Sequence, residues 1–343
     1  MFTPVVRRLL VAAVAGATTI GVAAAPASAI TARPVTRLAG TDRIGTSIAI
    51  SNQEFMAHSA KNVILTAAFT FADAMSASPL GKLLTAPVLL TSSSALAAST
   101  LTEIERVLPA PTTMMGTTTT TCTGAPADAV YIVGGDVAIA ASVDTQLNAA
   151  GFNVVRIAGA DRFATSVAVA KCEGSPSTVF LATGNIFADA LSAGPAAASK
   201  GGSVLLTYGQ TMPTSVASYL AGLTSPTVYA VGQAAHLADP TAQAIVGGDR
   251  FATAALVATE FFTNPSIVGI ATGSNFPDAL AGGSLMGMVG GPILLTNPNA
   301  LQSADGLYIG QNHITLSLAF LFGGTATLSP LVATQVGAAL NQN

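Results

Sequence analysis

Ala160-Asp161-Arg162-Phe163-Ala164-Thr165-Ser166 decides the fold, because the same seven-residue pattern occurs three times in the chain. The other two copies of this first motif are Thr41-Asp42-Arg43-Ile44-Gly45-Thr46-Ser47 and Gly248-Asp249-Arg250-Phe251-Ala252-Thr253-Ala254. Internal repetition of this kind indicates a chain built from repeated supersecondary units. We therefore expect the chain to consist of three copies of one structural unit.

Three further motifs follow each copy of the first one, always in the same order. The second motif is Phe71-Ala72-Asp73-Ala74-Met75, Phe187-Ala188-Asp189-Ala190-Leu191 and Phe276-Pro277-Asp278-Ala279-Leu280. The third is Pro87-Val88-Leu89-Leu90-Thr91, Ser203-Val204-Leu205-Leu206-Thr207 and Pro292-Ile293-Leu294-Leu295-Thr296. The fourth is Val133-Gly134-Gly135, Val231-Gly232-Gln233 and Phe322-Gly323-Gly324. Four motifs in one order define three copies of one unit, which we number in chain order.

The spacing of the motifs shows where the copies differ in length. The aspartates of the first and second motifs lie 31, 28 and 29 residues apart in the three copies. The second-motif aspartates of successive copies, however, lie 116 and 89 residues apart. We therefore expect an insertion in copy one, and the Thr-rich segment 109–128 is the candidate.

Within each copy, short apolar runs alternate with Ala-rich segments of helical character. In copy two, residues 154–157, 179–182, 204–207 and 228–231 are continuous apolar runs typical of strands covered on both faces of a parallel sheet. Residues 163–171, 189–199 and 214–221 between them are predicted helices. This alternation predicts an α/β fold with parallel sheets. Each copy has about 90 residues, small for an independent core, so we expect the copies to pack on one another.

The four motifs, repeated three times, resemble the cell wall-binding repeat 2 family of exported Gram-positive surface proteins. The resemblance covers about residue 35 to the end of the chain. It implies three tandem Toprim-like α/β repeats in a pseudo-threefold arrangement, with repeat 1 at 34–150 (insertion 109–128), repeat 2 at 151–240 and repeat 3 at 241–343. It also implies non-covalent attachment to the cell surface through an anionic wall polysaccharide or a teichoic-acid-like polymer.

Composition and the N-terminus bear on the cellular location. Half of the 343 residues are hydrophobic and 8% are charged, a balance that excludes a disordered chain and a basic nucleic-acid binder. Residues 1–29 have the pattern of a signal peptide: Arg7 and Arg8, an apolar run at 9–22, and the small-residue site Ala27-Ser28-Ala29. A retained membrane anchor and a twin-arginine export route are the alternatives. We expect a secreted protein at the cell wall or cell surface, without membrane insertion after signal cleavage.

The chain has two cysteines, Cys122 and Cys172. In an exported protein two cysteines most often pair, so we predict a disulfide between copy two and the insertion of copy one. Two unpaired thiols are the alternative. No metal is expected, because two cysteines and three scattered histidines show no ligand spacing.

Each aspartate of the first two motifs follows a predicted strand and opens a predicted helix. This position favours capping of the free N–H groups in the first helical turn, for all six aspartates. The functional alternative is contact with a polymer hydroxyl or a bound cation, since ligands bind at the carboxyl ends of strands in open α/β sheets. The candidate residues are Asp42, Asp73, Asp161, Asp189, Asp249 and Asp278.

Three of the seven arginines outside the signal segment directly follow the first-motif aspartate: Arg43, Arg162 and Arg250. A guanidinium at this place could bind a phosphate or carboxylate of a wall polymer with two hydrogen bonds. The alternative is an internal salt bridge within one copy, for example between Arg250 and Asp278.

Enzymatic activity is not expected. The sequence contains no G-x-S-x-G elbow, no H-E-x-x-H pair and no P-loop, and a Toprim-type centre would need a clustered D-x-D. We therefore expect a binding protein without a cofactor. A secreted soluble carbohydrate- or solute-binding protein is the main alternative function, and an unrecognised hydrolase is a third.

The ends of the repeat array lead to one further prediction. Copy one opens with a strand at residues 34–38 that has no preceding helix, whereas copy three has a final helix at 329–340 and no strand after it. An unpaired sheet edge is a liability, so the opening strand should complete the sheet of copy three and close a ring. The short link between copies two and three should leave a stub of the equivalent strand near Ile245 and Val246.

Overall fold

The computed structural model describes residues 32–111 and 115–342. The predicted signal peptide, residues 1–29, lies outside the described residues. The strands are β1 Val35–Leu38, β2 Val63–Ala67, β3 Val88–Thr91, β4 Thr118–Thr119, β5 Val130–Val133, β6 Val154–Ile157, β7 Thr178–Thr183, β8 Ser203–Thr207, β9 Thr227–Val231, β10 Gln243–Ile245, β11 Ile267–Thr272, β12 Ile293–Thr296 and β13 Leu318–Phe322.

Twelve α-helices connect the strands in the described ranges: α1 Arg43–Glu54, α2 Ala77–Leu84, α3 Ala98–Val107, α4 Ala141–Ala149, α5 Arg162–Glu173, α6 Ala188–Lys200, α7 Thr214–Ala221, α8 Gln233–Ala238, α9 Arg250–Phe261, α10 Pro277–Val289, α11 Ser303–Gln311 and α12 Pro330–Leu340. A short 3-10 turn, Ala74–Ser76, precedes α2. The apolar runs of copy two form strands within one residue of their predicted bounds, and the alternating α/β order is confirmed.

The strands form three parallel sheets, one for each copy. Their orders are β3-β2-β5-β6-β4, β8-β7-β9-β10 and β12-β11-β13-β1. In each sheet the strand that follows the first-motif helix, β2, β7 or β11, lies in the interior. In the first two sheets, the strand that completes the sheet comes from the next copy along the chain. Thus β6 completes the first sheet beside β5, and the three-residue β10 completes the second beside β9, as the short link predicts.

The third sheet is completed by the beginning of the chain. β1 pairs in parallel with β13, with Val35 opposite Ala319 and Leu38 opposite Phe322. The predicted ring closure is therefore confirmed. Because each sheet borrows one strand across a copy boundary, the three units are joined through backbone hydrogen bonds in a pseudo-threefold ring.

The second-motif helices α2, α6 and α10 pack on one another at the centre of this ring. Small residues allow the close approach: a Cβ at Gly194 would meet the Ser78 hydroxyl at 2.8 Å, and one at Gly287 would meet Ala198 Cβ at 2.8 Å. The first-motif helices pack on this central group across copy boundaries, α5 against α2, α9 against α6 and α1 against α10. Every boundary is thus formed by the first motif of one copy and the second motif of the preceding one.

The copy-one insertion lies at the edge of the first sheet, where β4 pairs with β6. Cys122 of this segment is bonded to Cys172 of α5, with Cα atoms 5.4 Å apart. The predicted disulfide is confirmed. It links the insertion to the first-motif helix of copy two.

Candidate functional site

The first-motif aspartates cap their helices. Oδ1 of Asp42 accepts a hydrogen bond of 2.7 Å from the Gly45 amide, and Oδ1 of Asp161 accepts one of 2.7 Å from the Ala164 amide. Asp249 accepts two, of 2.9 and 2.8 Å, from the second and third residues of α9. These aspartates are nevertheless exposed, so the second carboxylate oxygen of each remains near the surface. For these three residues the capping prediction is correct.

The second-motif aspartates are not caps, and here the capping prediction is wrong. Asp73 has the N-cap position of the 3-10 turn without a side-chain hydrogen bond to it, and Asp189 and Asp278 lie inside the first turn of α6 and α10. Their carboxylates instead turn toward the fourth-motif glycines. Asp189 is 8% exposed.

The fourth motif contains glycine because an aspartate carboxylate occupies the space that a Cβ would need. At Gly134 the Cβ would approach Asp73 Oδ2 to 3.2 Å, and at Gly232 and Gly323 it would collide with Asp189 and Asp278. All three glycines also have positive φ angles, which other residues adopt with strain. The second and fourth motifs of a copy therefore meet at the carboxyl end of its sheet.

The first-motif arginines all make the same backbone contact. Nη1 of Arg43 donates to the Ala68 carbonyl at 2.8 Å, Arg162 to Gly184 at 2.7 Å and Arg250 to Gly273 at 2.6 Å. Each acceptor is the residue that directly follows β2, β7 or β11, the strand after the first-motif helix of the same copy. This contact fixes the direction of each guanidinium and leaves its other N–H groups available for a further acceptor.

Each guanidinium also lies over the second-motif phenylalanine of the preceding copy. Arg162 is 5.8 Å from the Phe71 ring centroid, Arg250 is 5.7 Å from Phe187, and Arg43 is 5.9 Å from Phe276. Distances within about 6 Å allow cation–π attraction. The three rings themselves form a cluster on the ring axis, with centroid separations of 5.9, 5.6 and 6.1 Å.

The electrostatic partners of the arginines also lie across the copy boundary. Burial raises the pKa of Asp189 to about 6, and the positive charge of Arg250 partly counteracts this. Burial likewise raises the pKa of Asp73, while a hydrogen bond with the Thr165 side chain and the positive charge of Arg162 lower it. For Asp278, burial again raises the pKa, while hydrogen bonds from Thr46 and Thr327 and the charge of Arg43 lower it.

The same-copy salt bridge considered for Arg250 and Asp278 is therefore not formed. Arg250 faces Asp189 of the preceding copy, and Asp278 faces Arg43 of copy one. Within the described ranges, no ion pair joins a first-motif arginine directly to an aspartate. Sequence analysis missed this arrangement because the contacts cross a boundary that the linear spacing does not show.

The boundary between copies three and one contains an open cleft of about 190 Å³. Asp42, Arg43 and Thr46 line one side of it, and Asn275 and Asp278 line the other. The cleft thus combines donors and acceptors from the first and second motifs. Thr46 was quoted in the motif but not singled out as a candidate; its recurrence with Thr165 and Thr253 was the available signal.

The ring of three sheets, with polar motif residues at each boundary, defines a repeat protein whose candidate sites are shared between adjacent copies. The chain belongs to the family described as Cell wall binding domain 2 (CWB2), which matches residues 37–144, 156–241 and 244–333. These three matched segments correspond to the three copies. The family is described as a binding domain.

Two curated relatives come from Bacillus subtilis (strain 168). The chain is 27% identical over 315 residues to "N-acetylmuramoyl-L-alanine amidase LytC", covering 90% of this chain and 59% of the relative. It is 28% identical over 302 residues to "Amidase enhancer", covering 85% of this chain and 39% of the relative. The chain thus spans less than two thirds of either relative.

Two solved structures share the fold. Cwp8 from Clostridium difficile has a TM-score of 0.75 at 22% identity, covering 90% of this chain and 52% of Cwp8. Cwp6 from Clostridium difficile has a TM-score of 0.78 at 22% identity, covering 91% of this chain and 48% of Cwp6.

Metal binding and membrane insertion would each need a recognisable arrangement of residues. In residues 32–111 and 115–342, no group of three or more His, Cys, Asp or Glu side chains is placed to hold a metal ion. No helix in this part of the chain has the length and apolar character to cross a membrane.

Proposed function

We propose that this protein binds an anionic polysaccharide or teichoic-acid-like polymer of the cell wall through the boundaries between its copies, and that this holds it at the bacterial surface. One observation carries the proposal: at all three boundaries an arginine of one copy, which follows a capping aspartate, faces an aspartate of the preceding copy. A repeating site on one rigid body suits a repeating polymer. The family membership and the names of the relatives support a role at the wall.

The chemistry of the boundary residues fits such a polymer. The guanidinium of Arg43, fixed by its bond to a backbone carbonyl, can donate its remaining hydrogens to a phosphate or carboxylate. The exposed carboxylate oxygen of Asp42 can accept a hydrogen bond from a sugar hydroxyl. Three weak sites on one molecule, each engaging a different segment of one chain, would bind far more tightly together than singly.

We further infer that the protein acts by binding and not by catalysis. The three matched segments belong to a family described as a binding domain. Incubation with purified walls should release neither reducing sugar ends nor free amino groups, and sustained release of either would contradict this.

The test is co-sedimentation of the mature protein with purified cell walls. The wild-type protein should sediment with the walls, and the triple variant Arg43→Gln, Arg162→Gln, Arg250→Gln should remain in the supernatant. The matched control is Lys61→Gln, Lys171→Gln, Lys200→Gln, which removes the same charge from exposed positions outside the four motifs. Retention of the triple arginine variant would refute the proposed sites. Failure of the wild-type protein to sediment would favour the secreted solute-binding alternative.

A further inference from the structure

The first-motif helices α1, α5 and α9 end at equivalent positions, occupied by Glu54, Glu173 and Phe261. Each of these residues belongs to a helix that packs on the central helix of the preceding copy. The three copy boundaries can therefore be compared at one place. This place lies at the opposite end of the helices from the first-motif arginines, away from the proposed polymer sites.

At the boundary between copies two and three, an aromatic ring fills the space. Phe261 is 8% exposed, and its ring packs edge-on against Phe180 and Tyr229, with centroid distances of 4.9 and 4.8 Å. The Lys200 ammonium lies 5.9 Å from the same ring. This boundary is closed by apolar packing.

At the boundary between copies three and one, a carboxylate is buried with a donor from the neighbouring copy. Glu54 is 2% exposed, and its Oε1 lies 3.3 Å from the Ser284 hydroxyl of α10, which is also 3.0 Å from the Ala86 carbonyl. Oε2 of Glu54 is buried without a hydrogen-bond partner. Ser284 stands where the other two central helices have Pro79 and Pro195. The serine thus supplies a donor that proline does not have.

The boundary between copies one and two is different, because it contains a cavity of about 380 Å³. Glu173 lines this cavity together with Pro79 and Lys82 of α2. Ser203, which replaces the proline found in the third motif of the other copies, donates to Glu173 Oε2 at 2.5 Å. Oε1 of Glu173 is buried and has no hydrogen-bond partner.

The cavity also contains a cationic side chain, Lys82. Its side chain is exposed and lies at the rim of the cavity, where desolvation by the surrounding residues lowers the pKa of the ammonium. Among the described residues, no ion pair joins Lys82 to Glu173 or to another acid. One cavity therefore contains a cation and a carboxyl group that do not satisfy one another.

The surrounding backbone favours a positive charge beside Glu173. The last turns of two helices line the cavity: Lys82 and Leu83 of α2, and Ala198 and Ser199 of α6, followed by Gly201 and Gly202. The carboxyl end of a helix carries a partial negative charge that attracts cations. A volume of this size is at the small end of the range of small-molecule sites.

From the cavity and its two unpaired groups we propose a second binding site, one that takes a small zwitterion of the amino-acid or dipeptide class. The ammonium group of the ligand donates to Oε1 of Glu173 between the helix ends, and its carboxylate pairs with Lys82 at the other side. The site is independent of the proposed polymer sites, because it shares no residue with them. Pro79, Ser203 and Glu173 occur together at this boundary, and the other two boundaries lack this combination of residues.

The experiment is calorimetric titration of the full mature protein with alanyl-alanine, its N-acetyl form, its C-terminal amide and free alanine. Saturable one-to-one binding is expected for alanyl-alanine or alanine, and the stronger of the two shows which ligand size the cavity takes. N-acetylation, which removes the ammonium, and amidation, which removes the carboxylate, should each weaken binding by roughly tenfold or more. Equal binding of the acetylated form would overturn the proposal, as would the absence of saturable binding by both zwitterions.

Variants locate the site. Glu173→Gln and Lys82→Met should each weaken binding by roughly tenfold or more, whereas Glu54→Gln, which changes the equivalent carboxyl at the closed boundary, should leave it unchanged. Glu173→Phe copies the packing of Phe261 and should abolish binding in a protein that still folds. If the effects of Glu173→Gln and Lys82→Met on melting temperature are strongly non-additive without ligand, the two side chains pair with one another and the proposal fails.

Discussion

The backbone amide of Arg33 donates a hydrogen bond of 2.7 Å to Oδ1 of Asn341, 308 residues further along the chain. The Asn341 side chain donates in return to the Arg33 carbonyl at 3.3 Å, and the Arg33 guanidinium donates to the Leu340 carbonyl at 2.6 Å. These contacts lie beside the pairing of β1 with β13. The two ends of the repeat array are therefore fastened to one another by side chains as well as by a sheet.

This contact predicts that Asn341→Ala destabilises the ring. The change removes both side-chain bonds to Arg33 and leaves a part-buried amide and carbonyl without their partner, at a cost of about 1–2 kcal/mol. Urea denaturation measures the loss. Asn299→Ala, at an exposed loop position, is the control and should change the free energy of unfolding by less than about 0.5 kcal/mol. Equal effects of the two changes would show that the Arg33 contact contributes nothing.

The two adjacent glycines of the copy-three fourth motif should differ sharply in their response to alanine. Gly323→Ala places a Cβ against the Asp278 carboxylate at a φ of 107°, so it should cost more than about 1 kcal/mol. Gly324→Ala meets nothing within contact distance and should cost less than about 0.5 kcal/mol. Thermal unfolding of both variants provides the comparison, and similar melting temperatures would contradict the packing of Asp278 on this turn.

Glu173 makes stability depend on pH. Burial raises its pKa to about 8 in the folded protein, against about 4.3 in the unfolded chain. Between these values the folded state binds the extra proton, so the free energy of unfolding falls as pH rises, by up to about 1.4 kcal/mol per pH unit for this group. Below the unfolded value the contribution is fully present, and above about 8 it is lost.

The measurement compares wild type with Glu173→Gln by urea denaturation from pH 5 to pH 9. The variant keeps the shape of the side chain without its titration, so its stability should fall less steeply with pH than that of wild type. Asp189, whose pKa burial raises to about 6, contributes a slope in the same direction to both proteins and cancels in the comparison. Parallel stability curves would show that Glu173 titrates normally.

The disulfide between Cys122 and Cys172 spans 50 residues. In the chain-entropy account, a loop of this length stabilises the folded state by at most about 4 kcal/mol. The double variant Cys122→Ser, Cys172→Ser should therefore unfold at lower urea concentration than the oxidised wild type. Wild type treated with a reducing agent should match the double variant, and the reducing agent should not affect the variant itself.

Much of the fold could be predicted because it is encoded locally and three times over. The continuous apolar run of β6 and the capping aspartate of α5 need only their own neighbours in sequence to be interpreted. The closure by β1 could also be predicted, because a strand without a partner in its own copy can pair with the open edge of the copy-three sheet. The disulfide followed from there being two cysteines in an exported chain.

The roles of the site residues were harder to predict, because they depend on packing between copies. Arg250 and Asp278 share a copy, and nothing in their spacing shows that Arg250 faces Asp189 instead. The second-motif aspartates also have the sequence context of helix caps, although in the structure they pack on glycines near the end of the same copy. The cavity at Glu173 depends on a combination of Pro79, Ser203 and Glu173 that the other boundaries lack. Motifs common to all copies do not show such differences.

The last prediction concerns how the three arginines share the attachment to the wall. Each makes the same backbone contact and faces the same kind of neighbour, so the three boundaries should contribute similar amounts to polymer binding. Arg43→Gln, Arg162→Gln and Arg250→Gln should then each weaken co-sedimentation with walls by a similar factor. The affinity of the triple variant for walls should be roughly 10²–10⁴-fold lower than that of wild type, since the sites act together on one polymer. Binding by wild type should also weaken as salt is raised, because exposed charge contacts are screened within ~8 Å at physiological ionic strength.

The same variants separate ligand contact from structural support. Every first-motif arginine also donates a hydrogen bond to a backbone carbonyl at the end of a strand and lies over a phenylalanine of the preceding copy. Each single change should therefore lower the free energy of unfolding by about 1–2 kcal/mol. A polymer contact predicts a loss of wall binding at temperatures where the variants remain fully folded. If one arginine alone accounted for the whole loss, the polymer would occupy a single boundary, and the threefold repetition of the motif would serve the ring and not the ligand.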